Sequence, residues 1–254
     1  MKLHYQMVGS GQALVIIHGL FGSSDNWRAL AKQLAHYAKV ITVDLRNHGR
    51  SPHSPEQNYQ LMSDDLAELL DDLNLDMVDI IGHSLGGKVA MAFSQRYPQR
   101  VRKLMVVDVS PRQYQDEHSN IFNALLGVNL SRFSRRNEVD EALKLSIPDK
   151  TVRQFLLMNL DVNGEQLNWR INLQALFAIY PQLLEPVCQN TEIKIDSCFI
   201  RGGRSGYVGD DDVTLISTIF PNAEIVTIEQ AGHWVHAEEP QLFIDKVKQF
   251  FNYD

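Results

Sequence analysis

Cysteine is scarce in this chain of 254 residues: only Cys188 and Cys198 occur. Two cysteines do not make a disulfide framework, and their spacing matches no metal-ligand pattern. Long apolar runs are missing as well. No stretch of 18 apolar residues exists, and no apolar core follows Met1-Lys2-Leu3-His4, so neither a membrane span nor a secretory leader is expected. Those absences point to a cytoplasmic protein. Positive charge is also short, with 24 Lys and Arg against 31 Asp and Glu, a formal charge of −7 and a pI near 5.7. A nucleic-acid partner would therefore lack its electrostatic footprint.

What is present is an ordinary globular composition, 44% hydrophobic and 22% charged. The length suits one α/β domain with an insertion. The organising stretch is Ile80-Ile81-Gly82-His83-Ser84-Leu85-Gly86-Gly87. It carries G-x-S-x-G between an apolar run at 77–81 and a helix-forming run at 88–97, the order that a nucleophile elbow requires. Such a turn strains Ser84, and Gly82 and Gly86 let strand and helix pass closely. The hydroxyl then stands beyond the strand end, over the positive N-terminus of the next helix. The pentapeptide alone is weak, because it recurs by chance in Gly-containing loops. Partners elsewhere in the chain must carry the rest.

Upstream, residues 3–8 suit a short strand, and the continuous apolar run 13–17 suits one buried on both faces. It leads into His18-Gly19-Leu20-Phe21-Gly22, a loop able to aim the Leu20 N–H at one point together with the N–H of Leu85, as an oxyanion hole does. A helix over 27–37 and a strand over 40–43 follow. The polar loop 44–51, Asp-Leu-Arg-Asn-His-Gly-Arg-Ser, reads chiefly as backbone-satisfying, with His48 its best candidate to reach a pocket. Tyr59, Met62, Leu66, Leu69 and Leu73 mark one helix face. The acidic residues between them, including Asp64 and Asp65, read as a solvated surface.

Strand 101–107 ends at Asp108. Alternating strands and helices up to here argue for a mostly parallel sheet. Between 111 and 190 the pattern becomes helical only, which predicts a helical cap on a core made of 1–110 and 191–254. The cap holds Phe122, Phe155, Met158, Trp169, Phe177 and Tyr180, a few of which are expected to line an apolar pocket. The sheet resumes at 197–200, and a helix at 212–220, a strand at 224–228 and a closing helix from Pro240 complete it. Phe243, Val247 and Phe250 share one face of that last helix.

His233 stands apart from the other histidines by its place behind Gly232, in the loop after the last strand. The order serine, acid, histidine is that of α/β-hydrolases. HGLFGS at 18–23, DLRNHGRS at 44–51, GHSLGG at 82–87 and AGHWVHAEEP at 231–240 resemble an α/β-hydrolase along the whole chain. VVDVSPRQY at 106–114 and RGGRSGYV at 201–208 narrow the resemblance to small bacterial esterases of the YbfF type. The resemblance implies an α/β-hydrolase fold and a cofactor-free serine hydrolase, with no metal, acting on small-molecule esters and acyl thioesters.

In many relatives the triad acid lies a few residues after the strand that ends here near Ile200, as G-x-x-D, but Ser205 occupies that place. Asp210, Asp211 and Asp212 read as helix-capping residues. Asp108 is therefore the expected acid, with Ser205 in a supporting role. The expected activity is a carboxylesterase using Ser84, His233 and Asp108, and backbone N–H groups of Leu20 and Leu85. The alternatives are an acyl-CoA thioesterase and a carbon–carbon bond hydrolase or lyase on the same fold. Oligomeric state is left open.

Overall fold

Uninterrupted apolar runs form strands only where both faces are covered, and this sheet is built from such runs. The computed structural model describes residues 1–163 and 166–253. The first half holds β1 (Tyr5–Val8), β2 (Ala13–Ile17), α1 (Arg28–Leu34), β3 (Lys39–Val43), α2 (Tyr59–Asp72), β4 (Val78–His83), α3 (Leu85–Arg96) and β5 (Val101–Val107). An insertion follows: α4 (Ser119–Gly127), α5 (Arg136–Leu143), α6 (Lys150–Leu156), β6 (Leu160–Asn163), β7 (Gln166–Trp169) and α7 (Leu173–Leu183). The chain then returns with β8 (Ser197–Gly202), α8 (Asp210–Ile219), β9 (Ala223–Ile228), α9 (Val235–Glu238) and α10 (Pro240–Phe251).

The main sheet has the order β1-β3-β2-β4-β5-β8-β9. Only β1 is antiparallel to its neighbour. This is the α/β-hydrolase architecture: a mostly parallel sheet of seven strands between layers of helices. The register pairs Ile17 with Gly82, His83 with Val107, and Val107 with Ile200. The carboxyl ends of four successive strands therefore come level, and the residues just beyond them share one rim.

Both faces are buried. On one, Met62, Leu66 and Leu70 of α2 and Val89 and Phe93 of α3 pack over Val15, Ile80 and Leu104. On the other, Leu30 and Leu34 of α1 and Phe243 and Val247 of α10 cover Leu14, Ile16 and Met105. Phe251 completes that stripe, fully buried, where the helical spacing pointed to Phe250, which is only partly covered. Burying each such side chain contributes roughly 1.5–3 kcal/mol.

Two expectations need correction. The insertion is not all helical: β6 and β7 pair antiparallel, with Leu160 opposite Trp169. The predicted helix over 152–160 stops at Leu156, and the reason is legible in the alternation Leu160-Asp161-Val162-Asn163 and Gln166-Leu167-Asn168-Trp169, a period of two. Nor is the acidic side of α2 all solvated. Asp65 is 2% exposed and meets Arg46 in a two-pronged pair, 2.7 Å to Nε and 2.8 Å to Nη2. Arg46 also donates to the Glu56 carbonyl at 2.7 Å, so this pair fastens the 44–51 loop to α2.

Breaking a buried pair from one side leaves a desolvated charge short of partners, and without Arg46 the Asp65 carboxylate would keep the Met1 amino group at 2.9 Å. Arg46→Met is expected to lower stability by about 3–5 kcal/mol, read as a fall in the urea midpoint at constant slope. A loss below about 1 kcal/mol would class the pair with exposed salt bridges.

Candidate active site

Ser84 sits between β4 and α3 with φ 52° and ψ −119°, a backbone conformation that a non-glycine residue holds only under tertiary constraint. The constraint is visible on both sides. The Ser84 N–H donates to the Val107 carbonyl at 3.0 Å, and the Ser84 carbonyl accepts from Gly87 and Lys88 at 2.9 and 3.1 Å. A Cβ on Gly82 would stand 2.3 Å from the Gly86 carbonyl oxygen, and one on Gly86 would stand 2.3 Å from that of Ile17. Only hydrogen fits at either place. The helix begins at Leu85, three residues earlier than the sequence pattern indicated, because the glycine pair lies in its first turn.

The loop after β2 lies against this elbow. A Cβ on Gly19 would come within 3.2 Å of the Ser84 Cβ, so the Gly19-Leu20 backbone passes directly beside the serine. Leu85 is the first residue of α3, and its N–H is one of the helix's unpaired donors. Leu20 and Leu85 thus flank Ser84 from the two sides.

Asp108, just past β5, is 0% exposed and has φ 50°. Its Oδ1 accepts from the Gly202 N–H at 3.0 Å. Its Oδ2 accepts from the Ser205 hydroxyl at 2.5 Å and lies 2.8 Å from His233 Nδ1. A carboxylate only accepts, so Nδ1 carries a proton and donates it to Asp108. His233 and Ser84 line one cavity of about 190 Å³. The structure therefore brings Ser84, His233, Asp108, Ser205, Leu20 and Leu85 to one place. Asp210–Asp212 lie elsewhere: they open α8, where Asp212 accepts from the Gly209 N–H at 2.9 Å and pairs with Arg112 at 3.0 Å.

His48 does not reach this cavity. It is fully buried, its ring centroid lies 5.0 Å from that of His18, and burial lowers its pKa to about 3. The 44–51 loop acts as the sequence reading had it: Asp44 accepts from the N–H groups of Ser24 and Arg50 at 2.6 and 2.8 Å. Of the six large apolar side chains singled out in the insertion, Phe155 and Tyr180 border space next to Ser84. Phe122 and Phe177 stack on one another at 5.3 Å, while Trp169 faces a separate groove with Leu130 and Phe133.

Several neighbours were missed by sequence reasoning. Tyr207 stacks on the His233 ring at 3.9 Å and 21°. His118 borders the cavity from the start of the insertion. Lys88, one helical turn beyond Ser84, is 2% exposed, and burial lowers its pKa to about 7. His83 is buried and held well below the usual histidine range, first by burial and then by His233. Its Nε2 lies 2.9 Å from the His233 carbonyl oxygen, so that nitrogen carries the proton and donates. A signal for His83 was available in its place beside the serine. None pointed to Tyr207 or His118, whose contacts are made only by the fold.

Residues 12–240 match the family described by the alpha/beta hydrolase fold, and the chain belongs to that family. It is 38% identical over 252 residues to the sn-1-specific diacylglycerol lipase ABHD11 of Danio rerio, covering 95% of this chain and 79% of the relative. It is 36% identical over 244 residues to Esterase YbfF of Escherichia coli, covering 94% and 92%. A solved marine microorganism esterase superposes with a TM-score of 0.96 at 38% identity, covering 98% of this chain and 99% of that one. Within its family the chain thus falls among proteins named as esterases and lipases. No helix among the described residues is long and apolar enough to cross a membrane.

The His83 bond gives a direct test. One neutral hydrogen bond contributes about 0.5–1.5 kcal/mol net, so His83→Ala is expected to lower kcat for ester hydrolysis by about tenfold through a misplaced His233 loop. His83→Gln, whose amide can donate to the same carbonyl, should recover most of that loss. Equal losses in both variants would mean that His83 matters by its volume.

Proposed function

We propose that the protein is a serine carboxylesterase that cleaves its substrate in two steps through an acyl-enzyme. One observation carries this: the buried Asp108 carboxylate on His233 Nδ1, with Ser84 held in an elbow over the same cavity. His233 Nε2 takes the Ser84 proton as Oγ adds to the ester carbonyl carbon. The N–H groups of Leu20 and Leu85 receive the charge that develops on the carbonyl oxygen. Asp108 stabilises the imidazolium, which then protonates the departing alkoxide and leaves the acyl group on Ser84. Water, deprotonated by His233, adds to that acyl group, and the acid departs as Ser84 regains its proton. Ser205 supports the acid by donating to it.

Residues 111–190 act as the cap that encloses the site, a role supported by the contribution of His118, Ile121, Val152 and Phe155 to the cavity wall. Cys188 and Cys198 are free and buried, which suits a reducing compartment and a cytoplasmic location.

A fluorophosphonate should label Ser84, and Ser84→Ala should abolish labelling and hydrolysis together. Asp108→Asn is expected to cost about 10⁴ in kcat with the fold intact, through the wrong imidazole tautomer. Ser205→Ala removes one hydrogen bond to a charged group and should cost roughly ten- to a hundredfold. Asp211→Asn should cost far less than either. The reading fails if Asp108→Asn turns over normally while Asp211→Asn is folded and inactive. Rates on a short-chain chromogenic ester and on an acyl-CoA, measured side by side, separate the esterase from a thioesterase.

A further inference from the structure

Two spaces of different kinds meet at Ser84, and the position of His233 assigns them. The first, about 60 Å³, is bordered by Tyr59, Lys88, Tyr114, Tyr180 and Leu183. The second, about 190 Å³, is bordered by Phe21, Ile121, Val152, Phe155, Leu156 and Trp234. Ser84, Leu20, His118 and Tyr207 border both, whereas His233 borders only the second.

This asymmetry matters because the imidazole must hand its proton to the leaving oxygen. The leaving group therefore lies on the His233 side of the tetrahedral carbon, and the acyl substituent lies on the other. We propose that the 60 Å³ space is the acyl site and that the second space takes the alcohol, so that the enzyme acts on short-acyl esters of bulky apolar alcohols. The proposal rests on the acyl-transfer reading above and names its substrate class.

The walls on the two sides differ in how far they can give. Around the acyl site the far wall is bolted down. Lys88 Nζ donates to the carbonyls of Leu184 and Glu185 at 3.3 and 2.6 Å, and the Tyr59 hydroxyl donates to that of Leu183 at 2.6 Å. Enlarging it means parting buried donors from their acceptors, which is costly. It is the tighter of the two spaces, about 60 against about 190 Å³, which suits a short acyl group such as acetyl or propionyl. On the alcohol side the boundary is two partly exposed rings, Phe155 and Trp234, with centroids 5.6 Å apart. Both rings also border an outer groove of about 940 Å³ that continues past Met158 and Gln154. At that spacing the rings touch, so a long alcohol reaches the groove by parting two ring faces that have no hydrogen bond between them to break.

Isomeric esters test this in the native protein. Hexyl acetate and ethyl hexanoate have the same atoms and differ in which side of the carbonyl carries the chain. Hexyl acetate is expected to show a kcat/KM at least about tenfold higher, the scale on which a fixed apolar pocket rejects extra methylenes. Leu183→Ala should shrink that ratio by widening the acyl site, while Phe155→Ala should change the dependence on alcohol length among acetates. Fluorophosphonate labelling of Ser84 is followed in each protein. If Ser84 labels and ethyl hexanoate is cleaved as fast as hexyl acetate or faster, the acyl chain lies in the larger space and the assignment is overturned. If Ser84 fails to label and neither ester is cleaved, the acyl-transfer reading has failed and the substrate class falls with it.

Discussion

A carboxylate buried to 0% exposure is the constraint on which the candidate site is arranged. Desolvating a charge costs several kcal/mol unless donors surround it. Asp108 meets that cost with three: the Gly202 N–H, the Ser205 hydroxyl and the His233 imidazole. Each comes from a different part of the chain, namely the end of β8, the loop after it and the loop after β9. The carboxylate thus works as a structural node before any chemistry is considered. The parallel register makes the node possible, since Val107 pairs with Ile200 and Gly202 with Ile228.

The same burial governs the histidines around the site. His18, His48, His83, His118 and His236 are all pulled below the ordinary histidine range, in every case first by desolvation. They are neutral near pH 7. His83 lies 4.7 Å from His233 and 4.8 Å from His236, ring to ring. A positive charge on His83 would oppose the imidazolium that the proposed mechanism forms on His233. Keeping the neighbours neutral leaves any positive charge to His233, whose Nδ1 lies 2.8 Å from the Asp108 carboxylate. His83 combines both tasks, since its neutral ring still donates to the His233 carbonyl.

How much of this could be read beforehand depended on whether a residue's partner was local. The elbow was legible because Gly82, Ser84 and Gly86 constrain one another within five positions, and the core strands because continuous apolar runs leave few other readings. The β6–β7 hairpin was misread although its two-residue alternation was present, because the surrounding helical periodicity dominated a wider window. Asp65 looked solvated for a different reason. Its partner Arg46 lies 19 positions away, and charge pattern along one helix cannot reveal burial against another segment. His48 failed in the same way, being drawn under the surface by a loop whose path the sequence did not specify. Tyr207 was quoted only as part of a motif, for its stacking on His233 exists only once β8 and β9 lie side by side.

The proposed place of the acid on β5, in place of the commoner position after β8, is compatible with this geometry. β5 and β8 are adjacent and in register, and the Asp108 N–H itself donates to the Ile200 carbonyl at 2.7 Å. A side chain leaving β5 at residue 108 and one leaving the loop after β8 at residue 205 therefore converge on the same point beside the β9 loop. A carboxylate placed on either can meet the same histidine. With the carboxylate on β5, the position after β8 no longer needs a charge. It needs a donor, because Oδ2 of a buried carboxylate still has a lone pair to satisfy after His233 is bonded. A second carboxylate at 205 would set two like charges against one another in a low-dielectric site. Serine answers that requirement with one small hydroxyl, which donates to Oδ2 of Asp108, and this fits the proposed place of the acid on β5.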